Sequence, residues 1–211
     1  MDRQKDLQIK VCGMRDPLNL EQVCALLPEF VGFIFYPRSK RFVGTHPDPM
    51  LFEIPGPAIK KVGVFVDEEL SQLRKTIEIY GLDAVQLHGG ESAEYCRQLS
   101  GEAVQVIKAL DPQVPFMEFE IYMEVVDLLL FDSGGAGKGG TGQKFDWELL
   151  ESLSLPTPFL LSGGIGPGDA GLIRALDLQG LTGVDVNSRF ELSPGLKDIE
   201  KLKGFFIEIR K

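Results

Sequence analysis

The stretch "LQIKVCGMRDPLNLEQVCALL", residues 7–27, decides how the chain is read. It opens on a short apolar run, passes through Cys12 and Gly13, and enters a segment begun by Asp16-Pro17. A run of that length, rich in Val, Ile and Leu, suits a strand buried on both faces. Aspartate followed by proline is an N-cap with proline in the first helical turn. The unit is strand, turn, helix. It leaves a cysteine at the strand's end, either as a reactive thiol facing a ligand or as a small buried hydrophobe.

The unit recurs along the chain. Further strand-like runs are "VGFIF" (31–35), "KVGVFV" (61–66), "AVQL" (84–87), "VQVIKA" (104–109), "LLLF" (128–131), "FLLS" (159–162) and "GVDV" (183–186). Helical segments lie between them. Asp67 is the expected cap of "EELSQLRKTIEIY", whose Leu70, Leu73, Ile77 and Tyr80 share one face at helical spacing. "ESAEYCRQL", "FDWELLESL", "PGDAGLIRAL" and "LKDIEKLKGFFIEIR" supply later helices, the third started by Pro167 and the last capped near Ser193 or Asp198. Cys24 and Cys96 fall inside helical patterns and are expected in the core. Strand and helix alternating eight times call for a parallel sheet with helical crossovers. The expected fold is an α/β, (β/α)8 TIM barrel spanning residues 1–211 as one domain, trimmed below the roughly 250 residues usual for that fold. The alternative, an open doubly wound sheet, needs edge strands, and no run has an edge strand's polar or proline-broken character.

With 44% hydrophobic and 25% charged residues, the composition is that of an ordinary globular protein. The formal net charge of -9, from 22 Lys+Arg against 31 Asp+Glu, repels nucleic acid and anionic membranes. Three cysteines at unrelated spacings suit neither a disulfide framework nor a zinc knuckle, and a reducing cytoplasm fits best. The charged N-terminus lacks the apolar core of a signal peptide, and no run is long enough to cross a bilayer. The expectation is a cytoplasmic protein with no nucleic-acid or membrane partner, in which a small anionic substrate would have to be held by local basic groups and backbone dipoles. Monomer and homodimer are equally open.

In a barrel the active site is built by the loops after each strand. The unusual composition of this chain concentrates there. After strand seven, Gly163, Gly164 and Gly166 precede a proline-started helix, which reads as a phosphate cradle or merely a tight turn. Asn187 and Ser188, after strand eight, offer donors beside it and favour phosphate. Asp132 ends strand six ahead of "SGGAGKGGTG", a segment suited to closing over a substrate and lacking the P-loop spacing. A carboxylate placed there serves chemistry, a cap or a lysine partner. "YPRSKR" (36–41) supplies cations for a second anionic group, for which arginine's fork suits a carboxylate. His46 and His88 are the only histidines and make no metal cage unless carboxylates converge on them; His88 is expected to pack against neighbouring loops. Lys10 is expected on the face of its strand opposite to Cys12.

"IKVCGMRDP", "VGFIFYPRSKRFV", "KKVGVFV", "AVQLHGGE", "LLLFDSGGAGKGGTGQKFDW", "LLSGGIGP" and "GVDVNSRFELSPGLKD" together resemble, in order and over essentially the whole chain, the signatures of the phosphoribosylanthranilate isomerase family. The resemblance implies a small (β/α)8 barrel of tryptophan biosynthesis and an Amadori rearrangement of an aminoaldose to an aminoketose, without metal or organic cofactor. It implies Cys12 as general base and Asp132 as general acid. Arg41 matches the arginine that holds the anthranilate carboxylate, and Gly163, Gly164, Asn187 and Ser188 match the phosphate cradle. The base role requires nearby donors or cations to lower the Cys12 pKa from about 8.5. Arg15 stands where threonine is frequent, and Asn187 and Arg189 where serine and glycine are common. A metal-dependent pentose phosphate epimerase on the same scaffold and a non-catalytic phosphate-binding barrel are the competing readings. The first needs converging histidines and carboxylates, and the second would be expected to have lost Cys12 or Asp132.

Overall fold

The computed structural model describes residues 7–132, 144–150 and 155–211. Eight parallel strands close into a barrel in chain order. They are β1 (Gln8–Cys12), β2 (Phe30–Ile34), β3 (Lys60–Phe65), β4 (Ala84–Leu87), β5 (Gln105–Leu110), β6 (Leu128–Phe131), β7 (Phe159–Leu161) and β8 (Leu181–Val186). Helices α1 (Pro17–Cys24), α2 (Met50–Glu53), α3 (Leu70–Tyr80), α4 (Ala93–Arg97), α5 (Phe116–Glu120) and α6 (Ala170–Ala175) follow the strands in turn, and α7 (Ile199–Ile209) ends the chain. A 3-10 turn at Trp147–Leu150 follows β6, and a second, Ser188–Phe190, follows β8. An antiparallel hairpin of β9 (Glu191–Ser193) and β10 (Leu196–Lys197) comes next.

Every strand lies within two residues of its expected run at each end, because short apolar runs between turn signals leave little choice of boundary. The caps are more mixed. Asp16 accepts from Asn19 N at 2.8 Å with Pro17 in the first turn, as expected, and Asp198 caps α7. Asp67 does not cap α3: it adopts φ 50°, its carboxylate accepts from Gly90 N at 2.7 Å, and the helix starts after Glu69 without a side-chain cap. The β4 loop has captured that aspartate. The helix after β7 begins at Ala170, not Pro167, since Asp169 turns back to accept from Gly166 N at 2.6 Å. Of "FDWELLESL", Trp147–Leu150 form a 3-10 turn and residues 151–154 lie outside the described residues, as does the expected closing segment 133–143.

Two apolar layers alternate along the strands. Phe30, Val62, Ala84, Ile107, Ala109, Leu128, Leu130 and Leu160 form one buried cluster, and their strand neighbours, including Val31, Val85, Leu129 and Leu161, belong to the other. Period-two alternation sends the first set into the lumen and the second against the helices. Cys96, fully buried on α4, and Cys24, partly buried at the end of α1, pack in the outer layer as expected. The lumen cluster draws on β2 to β7 only. Where β1 meets β8, Lys10 pairs in register with Asp185 and the two form an ion pair at 2.8 Å, with Lys10 fully buried. Lys10 therefore shares the inner face with Cys12. The expectation of opposite faces was incorrect, because residues two apart on a strand point the same way.

Gly32, the register partner of Cys12, makes room for that sulfur: a Cβ at position 32 would stand 2.9 Å from Cys12 Sγ and 3.2 Å from its Cα. Gly32→Ala is expected to cost about 1–3 kcal/mol by overpacking. Chemical denaturation of the variant against wild type checks this, and an unchanged midpoint would show that strand β1 yields freely.

Candidate functional site

The strands' C-terminal ends open into a cavity of about 710 Å³. All the residues expected at the site line it: Cys12, Arg41, Asp132, Gly163, Gly164, Asn187 and Ser188. Asp185, Ser162, Gln86 and His88 join them. Among the described residues no group of three or more His, Cys, Asp or Glu is placed to hold a metal ion, and no helix is long and apolar enough to cross a membrane.

Cys12 ends β1 with 3% of its surface exposed. Burial pushes its thiol above the usual range, more strongly than the nearby Lys10 and Lys197 ammoniums pull it down, and the Asp185 carboxylate adds to the rise. This reverses the sequence expectation of a lowered value. The cations are present, but a lumen that excludes water penalises the thiolate more than they favour it.

Asp132 follows β6 across the mouth. His88 Nε2 lies 3.4 Å from Asp132 Oδ2, and Gln86 Nε2 donates to His88 Nδ1 at 2.8 Å. An imidazole that accepts at Nδ1 carries its proton on Nε2, so the ring presents an N–H to the aspartate. His88 thus faces the cavity instead of packing only against loops. Gln86 Oε1 is buried without a hydrogen-bond partner among the described residues. The alternation that put Gln86 and His88 on one face, two residues apart, was available in the sequence.

Arg41, after β2, is gripped by Glu191: Nε donates to Oε1 and Oε2 at 2.8 and 3.0 Å, and Nη2 donates to Oε2 at 2.6 Å. Glu191 also accepts from Lys197 Nζ at 2.8 Å and from Gly195 N at 3.0 Å. Burial opposes charge on Glu191, yet these donors hold its carboxyl below the usual carboxylate range. Lys197 Nζ in turn donates to Asn187 Oδ1 at 2.7 Å. One carboxylate therefore links the β2 loop to the β8 loop through the β9–β10 hairpin. Neither Glu191 nor Lys197 was singled out from the sequence, although "SPG" at 193–195 carries the proline-glycine signal of the hairpin turn.

Gly163 and Gly164 have φ of 79° and 69°, a consecutive left-handed pair that side-chain-bearing residues rarely adopt. Their amide N–H groups meet no acceptor among the described residues. Asn187 and Ser188 flank them from β8. The site thus gathers the two backbone amides of Gly163 and Gly164 between β7 and β8, a carboxylate on one side and a thiol on the other, and a guanidinium beyond the thiol. Arg189 is exposed and lines a separate hollow beside Gly166, and Arg15 is exposed with Nη1 donating to Lys40 O at 3.3 Å.

The profile of the N-(5′-phosphoribosyl)anthranilate isomerase family matches residues 9–208. A relative of that name from Parabacteroides distasonis is 45% identical over 204 residues, covering 95% of this chain and 92% of its own. One from Phocaeicola vulgatus is 35% identical, covering 96% and 98%. The phosphoribosyl anthranilate isomerase of Thermus thermophilus superposes with a TM-score of 0.84 at 27% identity, covering 96% of this chain and 98% of its own. A phosphoribosyl anthranilate isomerase solved in complex with reduced 1-(o-carboxyphenylamino)-1-deoxyribulose 5-phosphate superposes at 0.74 with 30% identity, covering 97% and 98%. By sequence along nearly its whole length and by fold, the chain belongs to the N-(5′-phosphoribosyl)anthranilate isomerase family, aldose–ketose isomerases of tryptophan biosynthesis.

Proposed function

We propose that this barrel isomerises N-(5-phosphoribosyl)anthranilate by acid/base catalysis, with Asp132 as general acid and Cys12 as general base. The observation that carries the reading is the placement of both groups on one cavity with an anion cradle between them, since β7 and β8 separate β6 from β1. A phosphate on the amides of Gly163 and Gly164, with Asn187 and Ser188 beside it, holds the ribose between the two walls. The anthranilate then extends toward β2, where Arg41 meets its carboxylate. Nε of Arg41 is committed to Glu191, so the guanidinium's other edge serves the ligand.

Asp132 donates a proton to the furanose ring oxygen as the C1′–O bond breaks, and the anthranilate nitrogen lone pair forms the iminium. The iminium acidifies C2′–H. Cys12 as thiolate takes that proton, and the C–H electron pair gives the enolamine. The Cys12 thiol returns a proton to C1′ of the enolamine and the Asp132 carboxylate takes the proton from the C2′ oxygen, leaving the ketone with acid and base restored. Proton transfers of this kind contribute about 10²–10⁴-fold each. The scheme calls on no metal or organic cofactor. A negatively charged protein with three free cysteines suits the cytoplasm and a small-molecule substrate, with neither nucleic acid nor membrane as partner.

Metal-free turnover of freshly generated phosphoribosylanthranilate tests the assignment. Wild type is expected to be active, and Cys12→Ser and Asp132→Asn to lose at least about a hundredfold in kcat while remaining folded. A folded Cys12→Ser or Asp132→Asn variant with wild-type turnover would remove that residue from the mechanism. Because the Cys12 thiol sits above its usual range, its thiolate fraction rises with pH. kcat/KM is therefore expected to climb from pH 7 toward 9, and a flat profile over that window would contradict a thiolate base. Glu191→Gln removes the charge that aims Arg41. KM is expected to rise about tenfold or more, since charged hydrogen bonds are worth about 1.5–3 kcal/mol and 1.4 kcal/mol is tenfold. An unchanged KM would place the carboxylate contact elsewhere.

A further inference from the structure

Lys10 and Asp185 form the one ion pair facing the lumen among the described residues, and the isomerisation as written uses neither. Lys10 is fully buried and Asp185 is 7% exposed. Asp185 Oδ1 accepts from Lys10 Nζ at 2.8 Å, and Asp185 Oδ2 accepts from Ser162 Oγ at 3.2 Å. The carboxylate is thereby fixed from both sides, by Lys10 on β1 and by Ser162 just after β7. The ammonium it holds sits one pleat below Cys12 on the same strand face, and its charge favours the thiolate there. Burying such a pair in place of apolar side chains brings little stability, because desolvation offsets the attraction. Packing alone therefore gives no reason for a lysine at this position.

We infer that Lys10 is a positioning residue for the reaction: anchored by Asp185, its ammonium stands beneath the Cys12 sulfur at the mouth of the barrel and opposes the cost of burial when that sulfur ionises to take the C2′ proton. The inference rests on the reading of Cys12 as the base. Lys10 itself transfers no proton. When the thiolate takes the proton from C2′ and becomes a thiol, the ammonium keeps its partner in Asp185, so the lumen never holds an uncompensated cation. The charged groups facing Cys12 are Lys10 from its own strand, Asp185 from β8 and Lys197 from β10. Of these, Lys10 acts most strongly to favour the thiolate, and it remains protonated itself, because Asp185 and Cys12 outweigh its desolvation.

The test is the rate of Cys12 alkylation by iodoacetamide against pH, followed by peptide mass spectrometry so that Cys24 and Cys96 do not contribute. Lys10→Met is compared with wild type, and Lys10→Met/Asp185→Asn serves as a second variant that leaves no unpaired buried carboxylate. The midpoint is expected to move up by at least one pH unit in Lys10→Met and by less in the double variant, where the opposing Asp185 charge is also gone. Lys10→Arg is expected to restore most of the wild-type midpoint. In turnover assays kcat at pH 7 is expected to fall at least tenfold in Lys10→Met with KM within threefold, and to recover as pH is raised. Folded variants that alkylate with the wild-type pH profile would overturn the inference and leave the pair a structural closure of the barrel. An active Cys12→Ser variant would instead remove the base assignment, while a shifted alkylation midpoint would still report the effect of Lys10 on the thiol.

Discussion

The ring closes where β1 meets β8, and the contact at that seam inside the lumen is electrostatic: Lys10 opposite Asp185. Elsewhere the interior is filled mainly by aliphatic and aromatic side chains, with Gln86 of β4 a buried polar exception. A closed barrel has no free edges, so the eighth strand must arrive in register with the first. That register sets Lys10 against Asp185 and places Asn187 one pleat above, beside Cys12. The polar sector and the site are one continuous inner face of two strands. The apolar remainder of the lumen keeps water out and so makes each charge in this sector matter more.

A protein with a net charge of -9 nevertheless has to receive an anionic substrate. Several cations at and beneath the cavity are already paired. Arg41 and Lys197 share Glu191, and Lys10 holds Asp185. Paired cations stay fixed in geometry, and arginine bound along one edge still presents another. The amides of Gly163 and Gly164 add backbone dipoles to the cavity, which carry no net charge and need no counter-ion.

Much of this was legible from the sequence, and the reasons differ by element. Apolar runs of strand length between turn signals located all eight strands, and the rim residues followed from the rule that barrel sites lie at strand ends. What escaped was partner choice. Asp67 had the composition of a cap but was drawn to Gly90 across the β3–β4 gap, and Asp169 captured the start of α6 from Pro167. Glu191 and Lys197 depend on a hairpin folding back over the β8 loop, a long-range event that no local pattern fixes. Lys10 and His88 are different. Their neighbours two residues away, Cys12 and Gln86, announced the shared face, and only the alternation had to be applied.

The seclusion of Cys12 also bears on chemical durability. Sulfur is oxidised chiefly as thiolate and when reagents can reach it. A thiol 3% exposed, with burial holding it in the protonated form, is a slow target for peroxide. Cys24 and Cys96 are also raised by burial, each to about 11, so none of the three sulfurs is a ready site of oxidative damage. The same burial that makes the Cys12 thiol hard to ionise also keeps reagents away from it.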